Sequence, residues 1–168
     1  MSARAPTRAR SRQLSAVQVA RFCGVDLKTI HNWVNKGKIP FQRTSGRHLR
    51  FRPLDVVDFL RAYEMAVPDG LRQIRLHAVV VDPDVETLAA VRRSLSRRFE
   101  IAICAHVVDG LLAVATQLPD VLFVGDASPL DLPSIAARLP ENEATSHVRV
   151  VPLGDPHGLR ETLEALLA

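Results

Sequence analysis

The feature that most constrains this chain is a pair of helix start and stop signals laid end to end. Ser15 can cap a helix N-terminus, and Gln18 three residues later completes a capping box. Gly24 stands where that helix must stop, because glycine takes the left-handed conformation past a last turn without a steric penalty. Asp26 is a second cap, and Gly37 a second stop after a helix reaching about Lys36. Two short helices joined by a tight, glycine-containing turn form a helix-turn-helix. The small Ala20 lets the helices cross closely, and Val19, Cys23, Val25, Ile30 and Trp33 fall on the seam such a pair would bury.

With Ile30, Trp33 and Val34 inward, the second helix presents Lys28, Thr29, His31, Asn32, Asn35 and Lys36. Amides and cations of this kind reach base edges and phosphates. An ordinary solvated face would mix in Asp and Glu, and this one has no acid beyond the Asp26 cap. Lys28, His31, Asn32 and Asn35 are the candidates for base edges. Next, Phe41 and Phe51 bracket a turn containing Gly46, which predicts a β-hairpin carrying Arg43, Thr44, Arg47, His48 and Arg50. A basic hairpin beside such a helix can follow the backbone or enter the minor groove, so Lys36, Arg43, Arg47 and Arg50 are the candidates for phosphates or that groove. Pro53 suits the first turn of a third helix, with Val56, Val57, Phe59, Leu60 and Tyr63 on its buried side.

These residues resemble the excisionase-type, MerR-like winged helix-turn-helix family over residues 14–60. The match runs through Leu14-Ser15, Val19-Ala20, Gly24-Val25, Thr29-Ile30-His31-Asn32-Trp33-Val34, Gly37-Lys38-Ile39-Pro40, the Gly46-Arg47-His48-Leu49-Arg50-Phe51 wing, Asp55 and Phe59-Leu60. The resemblance implies that the second helix enters the major groove, that the wing meets the backbone or minor groove, and that Trp33 is core.

Charge agrees with that division. Residues 1–77 hold 15 Lys+Arg against 5 Asp+Glu, a net of +10, while residues 78–168 hold 7 against 13, a net of −6; together these give the chain's +4. Such asymmetry suggests that the first half meets a polyanion. The expected layout is a flexible basic arm over 1–13, a DNA-binding domain over 14–65, a linker over 66–76 containing Pro68-Asp69-Gly70, and an α/β domain over 77–168.

In that last stretch strand-like runs at 78–82, 100–105, 121–124 and 148–153 alternate with helical ones at 85–98, 108–118, 132–139 and 159–167. Leu88, Val91 and Leu95 are expected inward on the first of these helices, and Leu111, Leu112 and Ala115 on the second. Alternating βα units argue for a parallel sheet flanked by helices. Val79-Val80-Val81-Asp82-Pro83-Asp84, Pro119-Asp120-Val121-Leu122-Phe123-Val124 and Pro129 resemble a degenerate response-regulator receiver domain. In that resemblance the phosphoacceptor position, four residues before Pro129, is Gly125; Asp126 comes one residue late. Pro83 replaces the second acid after the first strand, Gly154-Asp155-Pro156 stands where a Lys-Pro pair belongs, and one βα unit is missing. A Mg²⁺ site needs several converging oxygens, and at least one is lost.

The fold class expected is therefore α/β overall: a mostly helical winged helix-turn-helix followed by a truncated, doubly wound, flavodoxin-like parallel sheet. The 6 His and 2 Cys show no metal spacing, and no phosphate loop or nucleophile motif is present, so no metal, cofactor or catalytic residue is expected. The partners expected are double-stranded DNA, a second copy bound through the C-terminal domain and a further protein partner, with no membrane contact and a cytoplasmic, nucleoid-associated location. The leading function is a sequence-specific transcriptional regulator with a non-phosphorylated pseudo-receiver. The rivals are an architectural or excisionase-like recombination factor, a phosphorylation-gated response regulator, and a signalling adaptor whose helix-turn-helix binds protein.

Overall fold

The computed structural model describes residues 13–126, 128–154 and 166. Two compact units divide these residues, one over 13–74 with 166 and the other over 75–154. The basic arm, except Gln13, and the helix expected over 159–167, except Leu166, lie outside the described residues.

The first unit opens on a short strand, β1 (Leu14–Ser15), followed by α1 (Ala16–Cys23) and α2 (Leu27–Asn35). Ser15 caps α1 as a reciprocal box: its hydroxyl accepts from Gln18 N, and Gln18 Oε1 accepts from Ser15 N at 2.9 Å. Gly24 ends α1 at φ 66°, a left-handed conformation in which a side chain would be strained. Asp26 caps α2 by accepting from Thr29 N at 2.7 Å. The wing is β2 (Gln42–Arg43) and β3 (Leu49–Phe51), antiparallel with Arg43 opposite Leu49. On its other edge β3 pairs with β1, Leu14 opposite Phe51 and Ser15 opposite Arg50. This third strand was not among the expectations, since two residues give no alternation to detect. α3 (Pro53–Ala62) begins on its proline and buries Val56, Val57, Phe59 and Leu60.

Two expectations for this unit are corrected. Tyr63 is 46% exposed, since it follows the last turn of α3 and lies over Phe59 (ring centroids 4.7 Å apart) on the outer side of the core. Trp33 packs partly buried against Phe59 at the same centroid distance, 4.7 Å. The stretch expected as a linker is folded: Val67 and Leu71, the latter on the single-turn α4 (Asp69–Arg72), are buried in the first unit's core. Pro68 does not prevent this, because a proline just before a helix costs no hydrogen bond.

The second unit is a parallel sheet with β5 (Phe99–Cys104), β4 (Leu76–Val81), β6 (Val121–Val124) and β7 (Arg149–Pro152) side by side in that order. Strands taken in chain order are thus arranged 2-1-3-4, the doubly wound order of flavodoxin-like folds. β4 and β6 are buried along their whole lengths, which explains their apolar sequences, interrupted in β4 by the buried His77. Helices α5 (Val85–Leu95), α6 (Val107–Gln117) and α7 (Leu132–Arg138) flank them.

The inward face expected for α6 is wrong. Gly110, Ala113 and Val114 face the sheet, while Leu111 and Leu112 are 43% and 58% exposed. α6 is apolar nearly all round, so periodicity does not choose a face. Close approach chooses it: a Cβ on Gly110 would run into Val81 Cγ2, so only a glycine lets the helix settle on β4.

Candidate nucleic-acid interface

The interface is built from α2 and the wing. Ile30 and Val34 anchor α2 in the core, and the opposite side carries Lys28, His31, Asn32, Asn35 and Lys36, all exposed. Positions 28, 31, 32 and 35 lie on one helical stripe, and Thr29, half-buried, borders it. The Asp26 carboxyl at the head of this helix is held below its ordinary range, first by the amide and then by the hydroxyl of Thr29. It is the acid nearest the stripe in sequence, and these bonds commit it to capping.

The wing tip is a tight turn with an unusual owner for its left-handed position. Arg47 N donates to Thr44 O at 2.8 Å, Thr44 N donates to His48 O at 3.0 Å, and His48 N donates to Thr44 Oγ1 at 3.1 Å. Closing the loop requires a positive φ just before β3 resumes, and Arg47 supplies it at φ 62°. Gly46, the glycine of this turn, has no positive φ. Arg47 and His48 are exposed at the tip. The Arg43 guanidinium lies 5.5 Å from the centre of the Phe41 ring, and half-buried Arg50 donates from Nη1 to Leu49 O at 3.0 Å. Arg43, Arg47, His48 and Arg50 therefore share one hairpin, with Thr44 shaping its turn.

Residues 14–63 match the helix-turn-helix domain family. The matched helix-turn-helix domain spans α1, α2, the wing and α3, and helices of this type enter the major groove of DNA. A solved response regulator from Desulfuromonas acetoxidans is also similar to part of the chain, with a TM-score of 0.38 and 18% identity over 54% of this chain and 77% of its own. No curated protein matches the chain.

The structure adds two apolar residues to the helix-turn-helix surface. Leu27, in the first turn of α2, and Phe41, at the foot of the wing, are both exposed. An apolar side chain there can meet a thymine methyl or a sugar. Leu27 was legible as the residue after the Asp26 cap; Phe41 was hidden by its expected pairing with Phe51.

In the second unit, Asp82 follows β4 and is nearly fully buried. Its Oδ1 accepts from Asp84 N at 2.7 Å. Asp84 in turn caps α5, accepting from Glu86 N at 3.3 Å, Thr87 N at 3.1 Å and Thr87 Oγ1 at 2.5 Å. These bonds, that from the Thr87 hydroxyl first, hold the Asp84 carboxyl below its ordinary range. Gly125, at the end of β6, faces the Asp82 carboxylate, and a Cβ built on it would lie 2.8 Å from Asp82 Cβ and closer still to the carboxylate. Among the described residues no group of three His, Cys, Asp or Glu side chains could hold a metal ion. No helix among them is long and apolar enough to cross a membrane.

Proposed function

We propose that the protein is a sequence-specific DNA-binding regulator. The carrying observation is the acid-free stripe of Lys28, His31, Asn32 and Asn35 on α2, next in sequence to a wing bearing Arg43, Arg47, His48 and Arg50. α2 reads base edges in the major groove, while the wing and Lys36 hold phosphates. The excisionase-like, MerR-like variety of the domain fits the wing's Gly-Arg-His-Leu-Arg-Phe sequence.

The second unit acts as a pseudo-receiver that assembles copies and carries out no phosphoryl transfer. Two observations support this. The position that the receiver resemblance assigns to the acceptor is Gly125, and its side-chain space is filled by Asp82. α6 turns Val108, Leu111 and Leu112 outward, Val108 to 67% exposure, along one i, i+3, i+4 stripe. A contiguous apolar stripe on a helix is what a symmetric self-contact covers.

The test is capture of sheared genomic DNA on the purified protein at moderate salt, followed by sequencing of what is retained. An enriched inverted repeat is the expected result, with half-site spacing that reports the dimer geometry. Enriched direct repeats would favour a head-to-tail recombination factor instead. Retention without a motif would indicate an architectural binder, and no retention would overturn DNA binding itself. Incorporation of phosphate from a small phosphodonor, lost in Asp126→Ala, would overturn the pseudo-receiver role.

A further inference from the structure

The second half of the chain carries excess acid, yet it gathers basic residues at one place. Residues 92–98 read Arg-Arg-Ser-Leu-Ser-Arg-Arg, and all but Leu95 are exposed. Arg92 and Arg93 lie in the last turn of α5, and Arg97 and Arg98 in the turn that leads to β5.

The backbone beneath them is pinned. Leu95 and Phe99 are completely buried on either side of the turn. Ser96 N donates to Arg92 O at 3.2 Å, Arg98 N donates to Leu95 O at 3.0 Å, and Leu76 N donates to Arg98 O at 3.0 Å. The Arg75 guanidinium closes the site from below, with Nη2 donating to Ser96 O at 3.1 Å and Phe99 O at 2.9 Å. A partner therefore meets arginines whose main chain is already ordered, and binding needs to fix only their side chains.

Electrostatics of the helix explains part of the cluster. Cations at a helix C-terminus are favoured by the peptide dipoles, which accounts for Arg92 and Arg93. It does not account for Arg97, which stands beyond the helix, or for Ser94 and Ser96 exposed between the arginines. The side chains of Arg92, Arg93 and Arg97 have no hydrogen-bond or ion-pair partner among the described residues. Guanidinium and hydroxyl donors exposed together within these seven residues suit a chain of phosphodiesters, where arginine binds oxygen pairs and serine adds neutral donors.

We infer that residues 92–98 form a second phosphate-binding surface for duplex DNA, distinct from the helix-turn-helix domain. The choice of duplex DNA among polyanions rests on the DNA-binding role proposed above. The ridge reads no sequence; it adds affinity and salt dependence.

The test uses the full-length protein and a mixed-sequence duplex of about 60 base pairs, with affinity measured by fluorescence anisotropy across salt. The variant R92Q/R93Q/R97Q is expected to flatten the slope of log affinity against log salt by about 2–3, because each phosphate contact contributes about 0.9. Between about 50 and 200 mM salt the wild type then loses about 40-fold more affinity than the variant. R97Q alone, outside the helix, removes about 0.9, and the charge-preserving R92K/R93K/R97K keeps the wild-type slope. An unchanged slope in the triple glutamine variant overturns the inference. So does a lysine variant as flat as the glutamine one, which would signal damage to the fold. A slope lost on single-stranded RNA but kept on the duplex would overturn the assignment to DNA. The same assay with K36Q/R50Q separates the two surfaces: a slope flattened only by the ridge variant sinks the role of α2 and the wing, and the reverse sinks only the ridge.

Discussion

The carboxylate of Asp82 occupies the space that any side chain on residue 125 would need. The two residues end neighbouring parallel strands, with Val81 opposite Val124 in the ladder and Gly125 N donating to Val81 O at 2.9 Å, so neither backbone can withdraw cheaply. Gly125→Ala should therefore destabilise the protein by about 1–3 kcal/mol, the usual cost of overpacking a buried site. Asp82→Ala in the same chain should return much of that loss. Urea unfolding of the two single variants and the double variant measures the coupling, and additive losses would refute the clash.

Arg47 offers a stability change and a binding change of opposite sign. Its left-handed φ of 62° suits glycine better than any residue with a Cβ. Arg47→Gly should raise stability by about 1 kcal/mol by relieving that strain. It should also weaken DNA binding at every sequence and lower the salt slope by about 1, because a phosphate contact is lost. Thermal melting and salt-dependent anisotropy on the same preparation decide the matter. A variant that binds as well as wild type would remove Arg47 from the interface.

Acid should loosen the head of α2. The folded pKa of Asp26 is depressed, so its capping contribution is complete above the unfolded carboxylate value of about 3.9 and is lost as pH falls through the lower folded value. Asp26→Asn keeps an oxygen acceptor for Thr29 N without that titration and should flatten the acid limb of the stability curve. Asp26→Ala should lower stability at neutral pH as well. Urea midpoints between neutral and strongly acid pH provide the comparison, and parallel curves for wild type and Asp26→Asn would refute the role of this carboxylate.

Cys23 lies in the first unit's core, and burial pushes its thiol up to about 11. At pH 8 the native thiol should therefore react slowly with iodoacetamide and label fully only after unfolding. Labelling as fast as that of a free thiol would mean that α1 opens readily.

Asn32 tests specificity separately from affinity. Asn32→Ala should cost about 1–3 kcal/mol at the preferred site, relax preference at one or two base positions and leave the salt slope alone. Binding-site selection from a randomised duplex reads all three effects, and an unaltered motif would move base recognition elsewhere.

Much of the helix-turn-helix domain was legible because its punctuation is chemical. Ser15 and Asp26 do locally what their side chains favour, and Gly24 and Gly37, lacking a Cβ, take left-handed φ values of 66° and 64° past α1 and α2. The stripe on α2 followed once Ile30 and Val34 were placed inward. What escaped depends on distant partners. β1 is too short to carry a pattern, and its existence is owed to β3. The face of α6 was chosen by the fit of Gly110 against Val81, which no periodicity reports. Val67 and Leu71 looked like linker because Pro68 and Gly70 flank them, although the core of the first unit takes both. The left-handed residue of the wing gave no signal in the sequence, because glycine is the usual tenant of that conformation and Arg47 the actual one.

Ser15 belongs to two constructions at once: it opens α1 through its hydroxyl and stands opposite Arg50 on β3. The start of the helix pair and the register of the wing are thus measured from the same atom group, with no intervening chain to absorb an error. Lengthening the wing turn would change only the reach of its tip. One residue inserted between Leu14 and Ser15 would instead break the pairing of Leu14 with Phe51, and Leu14 would have to leave the core or pull the wing out of step. Insertions in this domain should therefore be tolerated at the tip and fatal at the root, a gradient of permissiveness running along one hairpin.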